Sequence, residues 1–211
     1  MASIEEISAG VQAGRAKVVK ELVTNALSEG IPAKDILNEG LLAGMMIIGE
    51  KFKKNEIFMP EVLVTARAMN AGLALLESEL AAGGNEAAGK VVLGTVKGDM
   101  HDIGKNLVGM MLKGAGFEVT DIGVDASAEQ FIDKAEEIGA DIICISALLT
   151  TTMPYMKTII DELNARGLRE KYIVMIGGAP VNEEFAQKIG ADYYTEDAPT
   201  CAEVAKKAVG K

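Results

Sequence analysis

Apolar residues in the first 80 positions recur at the three- and four-residue spacing of amphipathic helices. Three apolar stripes run over residues 18–27, 37–52 and 62–80, and proline stands near the start of the second and third, where it suits the first turn of a helix. Ser3 and Glu6 form a capping-box pattern that adds a shorter helix before these stripes. Together these patterns predict a four-helix bundle.

The helical periodicity stops in residues 81–89, a run rich in alanine and glycine that predicts a linker. Beyond it, short apolar runs alternate with helical patterns. The runs that predict strands are 91–96, 118–124, 141–146, 172–176 and a weak 192–195. Helices are expected near 103–115, 128–138, 154–166, 183–189 and 198–209. The chain is therefore predicted to contain a helical domain over 1–80 and an α/β domain over 90–211.

Five βα units of this length indicate an open parallel sheet with helices on both faces. The expected topology is a flavodoxin-like, doubly wound sheet with strand order 2-1-3-4-5. Ligands of such sheets bind at the carboxyl ends of the strands, near the point where the strand order reverses. Functional residues are therefore expected where the predicted strands end.

Composition and charge argue against several classes of function. Hydrophobic residues make up 49% of the chain, which is typical of a packed globular protein, and no apolar stretch is long enough to cross a membrane. The net charge is −10 and both halves are acidic, so nucleic-acid binding is not expected. The N-terminus lacks a signal-peptide pattern. Cys144 and Cys201 are interpreted as reduced core residues, not as a disulfide pair or a zinc site, and a cytoplasmic location is expected.

The chain's single histidine, His101, lies in the segment Asp99-Met100-His101-Asp102-Ile103-Gly104, directly after the first predicted strand. A lone histidine in a loop is more often a capping or partly exposed residue than a ligand. Here, however, a carboxylate two residues earlier can accept the N–H of one ring nitrogen, which fixes the tautomer and makes the other nitrogen a better metal ligand. The loop is therefore a candidate metal-binding segment.

Two further motifs follow predicted strands. Ser146-Ala147-Leu148 comes at the end of the third strand, and Gly177-Gly178-Ala179 follows the fourth. Glycine pairs are common in ordinary turns, and at least one of Leu148 and Leu149 is expected in the core. Nevertheless, all three motifs are expected at the same edge of the sheet, which favours a shared ligand site.

Asp99-x-His101-x-x-Gly104, followed in order by Ser146-x-Leu148 and Gly177-Gly178, resembles the cobalamin-binding signature of corrinoid proteins. The resemblance implies that His101 displaces the benzimidazole of the cofactor and binds cobalt from below. Asp99 would be the partner of His101, and Thr152 would supply a hydroxyl beyond Asp99, at a position that often carries serine in the family.

The same resemblance assigns the remaining residues of the predicted cofactor pocket. Gly104 would let the loop pass close under the corrin ring, where a side chain would collide. The loop residues that complete the contact with the ring are Gly98, Met100, Asp102 and Ile103. The residues implied to line the pocket for the nucleotide tail are Ser146, Leu148, Thr150, Gly177, Gly178 and Ala198.

The segment from Gly49 to Val62 resembles the cap domain that precedes the cobalamin domain in methionine synthase and in methylotrophic corrinoid proteins. The resemblance implies that the helical domain shields the upper, methyl-carrying face of the cofactor, and it makes Phe58 a candidate contact. Met45, Met46 and Met69 are expected in the bundle core, because methionine at helical spacing more often packs inside.

The resemblance covers nearly the whole chain and implies a corrinoid methyl carrier. Such a protein accepts a methyl group on Co(I) cobalamin from a donor bound to a substrate-specific methyltransferase. A second methyltransferase then passes the group from methylcobalamin to a thiol or tetrahydrofolate acceptor. A reductive activase, which returns Co(II) to Co(I), is a further candidate partner. The chain is not expected to be a catalyst alone.

Thr150-Thr-Thr-Met153 and Gly177-Gly-Ala-Pro-Val181 look most like the methylamine and quaternary-amine branch. Carriers for methanol and for methoxyaromatic O-demethylation share much of this pattern and remain alternatives. A mutase subunit normally adds a barrel domain and lacks the cap, and a cobalamin light sensor normally has an output module, so both are less favoured. A structural protein without a cofactor would leave the three coincident motifs unexplained.

Overall fold

The computed structural model describes residues 4–82 and 87–210. The chain divides into two compact units. One holds the described residues through Ala82 together with Gly114–Gly116, and the other holds Ala87–Lys113 and the described residues from Phe117 onward. Residues 83–86 of the predicted linker at 81–89 lie outside the described ranges, as does Ser3 of the predicted capping box.

The first unit is built from helices. They are α1 (Ile4–Gln12), α2 (Ala16–Ser28), α3 (Ala33–Asp35), α4 (Ala43–Lys53) and α5 (Met59–Ala82), with a π-helical segment, Ile36–Leu42, between α3 and α4. The residues at both ends of the π-helical segment keep right-handed helical backbone angles, so α3, this segment and α4 form one continuous helical stretch. The four helical segments confirm the predicted bundle.

The bundle core is formed by the apolar faces of its longer helices. Gly72 lets α5 approach the π-helical segment closely, because a Cβ atom at this position would lie 2.7 Å from Cδ2 of Leu41. Met45 and Met69 are fully buried in this core, as predicted. The expectation for Met46 is wrong, since its side chain is 54% exposed. Met46 follows Met45 directly, and adjacent residues on a helix point about 100° apart.

The second unit is the α/β unit. Its strands are β1 (Lys90–Thr95), β2 (Glu118–Asp121), β3 (Ile142–Ser146), β4 (Ile173–Gly177) and β5 (Tyr193–Tyr194). Its helices are α6 (Ile103–Gly114), α7 (Ala128–Ile138), α8 (Tyr155–Ala165), α9 (Glu183–Ile189) and α10 (Ala198–Ala208), with a short 3₁₀ turn at Arg169–Lys171. The strands are all parallel in the order β2-β1-β3-β4-β5, which confirms the predicted topology.

Local sequence explains where several of these helices begin and end. Ser127 and Gln130 form a reciprocal capping box at the start of α7, and Gly139 ends that helix in the left-handed conformation. Asn182 and Asp197 cap α9 and α10 by accepting hydrogen bonds from backbone N–H groups in their first turns. These caps fix the points at which α7, α9 and α10 begin after β2, β4 and β5.

The register of the sheet aligns the ends of three strands. Thr95 is paired with Ser146 across β1 and β3, and Ser146 is paired with Gly177 across β3 and β4. The loop that carries His101 starts just beyond Thr95. All three sequence motifs therefore leave the sheet from one row at its carboxyl edge, next to the point where the strand order reverses.

Cys144 on β3 and Cys201 on α10 are free and buried. They are far apart in the sequence, yet their thiols lie close enough to interact, a proximity that sequence spacing does not predict. The neighbouring Cys201 thiol, together with burial, raises the pKa of the Cys144 thiol. Within the described ranges, no helix is both long and apolar enough to cross a membrane.

Candidate functional site

The loop after β1 is fixed by a buried hydroxyl. Thr95, the last residue of β1, is fully buried, and its Oγ1 donates a hydrogen bond of 2.9 Å to the carbonyl oxygen of His101. Gly98 has φ +83°, a left-handed conformation that glycine adopts without steric cost. The chain therefore turns back on itself between Thr95 and His101, and the histidine is held at the end of β1.

Asp99 is the buried centre of the site. Its side chain has no exposed surface, and the hydrogen bonds of the side chain are donated into the carboxylate. Oδ1 accepts the backbone N–H of His101 at 3.1 Å and lies 2.7 Å from His101 Nδ1. Oδ2 accepts the backbone N–H groups of Leu148 and Leu149 at 2.8 and 3.2 Å and the hydroxyl of Thr152 at 2.6 Å. One carboxylate thus joins the loop after β1 to the loop after β3.

These contacts determine the charge of Asp99. Burial raises the pKa of a carboxyl group, but here the hydrogen bonds from Thr152, from the Leu148 N–H and from His101 outweigh it, and the pKa of Asp99 lies well below its usual range. Asp99 is therefore a carboxylate at neutral pH. A carboxylate next to Nδ1 is an acceptor, which places the imidazole proton on Nδ1.

His101 is arranged to bind something outside the chain. In the neutral imidazole, the proton on Nδ1 is shared with Asp99, and Nε2 then keeps its lone pair. The side chain is 50% exposed, in contrast to the buried carboxylate that orients it. A neutral imidazole whose second nitrogen is held by a carboxylate is the usual arrangement of a histidine metal ligand.

Large apolar side chains are exposed in the two loops that Asp99 joins. Met100 and Ile103 are 70% and 72% exposed on either side of His101. Leu148 and Leu149, of which at least one was expected in the core, are also both exposed. Their backbone N–H groups point to Asp99, and their side chains are left outside the core. Exposed apolar surface beside a polar group is typical of a ligand site.

Two glycines of the motifs, Gly104 and Gly178, differ in whether the fold itself requires glycine. A Cβ atom on Gly104, in the first turn of α6, would meet no atom of this chain, so packing within the protein does not require glycine there. Gly178 has φ +133°, and a Cβ atom on it would overlap the carbonyl oxygen of Ala147. A side chain is therefore excluded at Gly178 by the fold itself, whereas the open space at Gly104 is available to a ligand.

The remaining predicted residues lie in several environments. Ser146 is half-buried at the end of β3, next to Gly177, and Thr150 is exposed. Ala198 is buried in the first turn of α10. Asp102 is exposed and accepts a hydrogen bond of 3.1 Å from the side-chain amide of Asn106. Phe58 belongs to the helical unit, where it precedes α5 and is 68% exposed.

Three residues of the site were not predicted. Thr95 is a polar residue at the end of an apolar run, which was the available signal. Lys105 is almost fully buried, and its ammonium group contacts the Asp121 carboxylate and donates to Asn106 Oδ1 at 2.8 Å. Asp125 accepts a hydrogen bond of 2.7 Å from the backbone N–H of Gly98. Lys105 and Asp125 act through groups that are distant in sequence, and hydrophobic periodicity carries no signal for such contacts.

The residues present fit one kind of metal cofactor. Among residues 4–82 and 87–210, no group of three histidine, cysteine, aspartate or glutamate side chains could hold a metal ion by itself. The site offers one oriented imidazole beside exposed apolar side chains and an open glycine. This combination suits a metal whose other ligands come from a large, largely apolar macrocycle, with the protein supplying an axial ligand.

Comparisons with known proteins agree with this chemistry. Residues 89–205 match a family model described as a B12 binding domain, and residues 3–77 match a second model with the same description. A corrinoid protein of Desulfitobacterium hafniense strain Y51 is 44% identical over 100% of this chain and 99% of its own length. Dimethylamine corrinoid protein 3 of Methanosarcina acetivorans is 44% identical over 98% of this chain and 99% of its own length.

A solved structure resembles this chain over nearly its full length. The methanol:cobalamin methyltransferase complex MtaBC of Methanosarcina barkeri contains a chain that matches with a TM-score of 0.89 at 29% identity. The match covers 99% of this chain and 80% of that chain. The cofactor of the present protein is thus cobalamin, and the chain belongs to the B12-binding corrinoid proteins of methyltransferase systems.

Proposed function

We propose that this protein carries a methyl group on bound cobalamin between two methyltransferases, and that a methylamine is the methyl donor. The observation that carries the proposal is the pair formed by Asp99 and His101, which leaves Nε2 of an exposed imidazole ready to bind a metal ion. Bound cobalamin supplies a cobalt ion that can take up a methyl group and release it. The residues of the chain hold the cofactor and adjust its lower face.

His101 would hold the cobalt of the bound cofactor through Nε2. Asp99 and Thr152 act behind it, because the carboxylate fixes the proton on Nδ1 and the hydroxyl donates to the same carboxylate. A carboxylate partner raises the basicity of the ligand nitrogen and stabilises the ring whenever it carries a second proton. Asp99 and Thr152 thus influence how readily the imidazole binds and leaves the metal.

The surroundings of His101 match the parts of such a cofactor. The loop that carries His101 would lie beneath the corrin ring, and its exposed apolar side chains would contact the ring. The loop residues in this position are Gly98, Met100, Asp102, Ile103 and Gly104. The residues that would line the pocket of the nucleotide tail are Ser146, Leu148, Thr150, Gly177, Gly178 and Ala198. We further propose that the helical unit, with Phe58, shields the upper face of the cofactor.

The choice of donor rests on the relatives. A protein named as a dimethylamine corrinoid protein is 44% identical over nearly the full length of both chains, whereas the chain in the methanol complex is 29% identical. A methylamine is therefore the favoured donor. The fold similarity to the methanol complex keeps methanol as a second candidate, and methoxyaromatic compounds remain a third.

The proposed partners follow from the same comparisons. The solved relative is described as part of a methyltransferase complex. We infer that this chain receives its methyl group from a substrate-specific methyltransferase. A second methyltransferase with a thiol or tetrahydrofolate acceptor then takes it, and a reductive activase restores the cofactor when it is oxidised.

The experiment supplies the cobalamin-loaded protein, with its cobalt reduced, to donor-specific methyltransferases. Monomethylamine, dimethylamine, trimethylamine, methanol and a methoxyaromatic compound are each tested with the matching methyltransferase, and methylation is followed by the absorption spectrum of the cofactor. Rapid methylation with a methylamine and its methyltransferase is expected, together with very slow methylation by the free amine. Rapid methylation by methanol alone among the pairs would reassign the donor. Equally fast methylation without any partner would overturn the carrier role.

A further inference from the structure

The loop that carries His101 is held from the side of β2 as well as from β3. After β2, residues 122–126 continue alongside the end of β1. The Thr95 N–H donates to the Gly123 carbonyl at 3.0 Å, the Ala126 N–H donates to the Thr95 carbonyl at 3.0 Å, and Val96 forms a parallel bridge with Ala126. The segment that leads into α7 is thereby anchored next to the start of the loop.

Asp125, within this segment, forms two hydrogen bonds to the loop that carries His101. Its Oδ1 accepts the backbone N–H of Gly98 at 2.7 Å, and its own N–H donates to the backbone carbonyl of Asp99 at 3.0 Å. The two contacts are made to Gly98 and Asp99, the residues that directly precede Met100 and His101. Asp125 itself is exposed, so these contacts are not a consequence of core packing.

The backbone of Asp125 shows that this geometry is specific. Its φ is +55°, and in the described ranges Asp125 and Asn55 are the non-glycine residues with positive φ. Left-handed backbone is unfavourable for most residues and is tolerated by aspartate and asparagine. The conformation aims both the N–H and the carboxylate of Asp125 at the loop, where Gly98 is also left-handed at +83°.

We propose that Asp125 is a positioning residue for the cobalt ligand, acting on His101 through the backbone of Gly98 and Asp99. The proposal rests on the proposed role of His101 at the lower face of cobalamin. The carboxylate of Asp99 extends from the backbone that Asp125 holds, and His101 Nδ1 is bound to that carboxylate. A shift of the Asp99 backbone would therefore move the buried Asp99 carboxylate and the His101 imidazole together.

Three variants separate the possible contributions of Asp125. Asp125→Gly removes the carboxylate but keeps easy access to the left-handed backbone. Asp125→Asn keeps a side-chain oxygen that can accept from Gly98 and also tolerates positive φ. Asp125→Ala removes the acceptor and disfavours the backbone conformation as well. If the contact with Gly98 positions the loop, asparagine restores the function that glycine loses.

Asp141 provides a matched control at the opposite edge of the sheet. Its N–H donates to the Lys90 carbonyl at 2.9 Å, and its Oδ2 accepts the Lys90 N–H at 2.8 Å. Like Asp125, Asp141 forms two hydrogen bonds with the backbone of a neighbouring segment. Asp141→Gly therefore measures the cost of losing such a clamp far from the His101 loop.

The experiment uses the full chain with and without cobalamin. Without cofactor, hydrogen exchange of the Gly98 amide is expected to be at least about fivefold faster in Asp125→Gly than in wild type. With cofactor, cobalamin affinity should fall by about three- to tenfold, less than for loss of a direct partner of the ligand. The Co(II) electron paramagnetic resonance signal should show a smaller share of molecules with histidine nitrogen on cobalt. Asp125→Asn should stay within about twofold of wild type in affinity.

The outcomes distinguish this proposal from the proposed function. If wild type shows histidine coupling and Asp125→Gly matches it in coupling, affinity and Gly98 exchange, the positioning role is wrong and the cobalt site stands. If Asp141→Gly reduces affinity and coupling as much as Asp125→Gly, the effect is general destabilisation, and the proposal is overturned. A wild-type protein without histidine coupling would overturn both the cobalt site and the positioning role.

Discussion

The hydroxyl of Thr152 lies 2.6 Å from Oδ2 of the buried Asp99 carboxylate, although 53 positions separate the two residues. The contact connects the loop after β3 to the loop that bears His101, and it places a neutral donor directly behind the charge that orients the imidazole. The stability of the site and the properties of its histidine therefore depend on a residue that does not touch the histidine.

Thr152→Val should destabilise the protein while nearly preserving side-chain volume. It removes a hydrogen bond to a buried charge, and such bonds contribute about 1.5–3 kcal/mol to the free energy of unfolding. Urea unfolding measures the change. Thr152→Ser keeps the hydroxyl and should lose less than half of that amount. Thr151→Val, at the exposed neighbouring position, is the control, and an equal loss there would show that the Thr152 contact is not responsible.

Asp99→Asn should weaken the cobalamin site more than any other single change behind the ligand. Every hydrogen bond of the Asp99 side chain is donated to the carboxylate, so the amide NH₂ of asparagine would face another donor. Loss of such a partner typically costs about 10- to 100-fold in metal-site affinity or activity. Titration with cobalamin and the Co(II)/Co(I) midpoint potential test this. Asp133→Asn, at an exposed ion pair with Arg166, should change neither value, and identical titrations of Asp99→Asn and wild type would refute the assignment.

Acid should remove the stabilisation that Asp99 provides. Because the pKa of Asp99 is lower in the folded protein than in the unfolded chain, the unfolded state takes up a proton first as the pH falls. The contribution is fully present above the unfolded pKa of about 4 and decreases below it. The difference in unfolding free energy between wild type and Asp99→Asn should therefore shrink as the pH is lowered from about 6 to about 3, that is, from about two units above that pKa to about one unit below it. A difference independent of pH would contradict the ionised state of Asp99.

His101→Ala should remove the axial nitrogen from cobalt. With ¹⁵N-labelled histidine, the Co(II) electron paramagnetic resonance spectrum of wild type should show coupling to the label, because the half-exposed imidazole is held at Nδ1 and can bind through Nε2. The variant should lose this coupling and retain cobalamin more weakly. Coupling from the benzimidazole of the cofactor in wild type would show that the tail is not displaced.

Gly178→Ala should be among the more damaging glycine substitutions in the α/β unit. A Cβ atom there would overlap the carbonyl oxygen of Ala147, and φ is +133°. We expect a loss of at least about 2 kcal/mol in thermal or urea unfolding. Gly139→Ala is the matched control, because φ is +62° and no atom lies within 4 Å of the added Cβ. It should cost about 1 kcal/mol from the backbone alone, and equal losses would mean that the overlap with Ala147 is relieved at little cost.

The topology and the contact between Asp99 and His101 could be predicted because their signals are local. The strand order follows from the sequence of βα units, and Asp99 and His101 are two residues apart in the first loop. The place of Thr152 came from resemblance to a family, since its contact with Asp99 depends on how two loops fold over the sheet edge. Such contacts are set by three-dimensional packing and leave no periodic pattern in the chain.

Other features could not be predicted for related reasons. The exposure of Met46 and Leu149 depends on which side of an element faces the core, and apolar character alone does not decide this. Asp125 acts through a left-handed backbone and hydrogen bonds to main-chain atoms, neither of which side-chain chemistry reveals. Gly178 was singled out as part of a motif, but the overlap that excludes a side chain there becomes visible only when Ala147 is placed beside it.

The pairing of Thr95, Ser146 and Gly177 in one row limits how the length of this protein can change. Successive side chains of a strand point to opposite faces, so an insertion or deletion of one residue within β1, β3 or β4 would reverse the faces and shift one motif out of the row. Extra residues can be accommodated in the distant connections at the amino edge, where no motif begins. Length differences among natural variants of this α/β unit should therefore be concentrated at that edge.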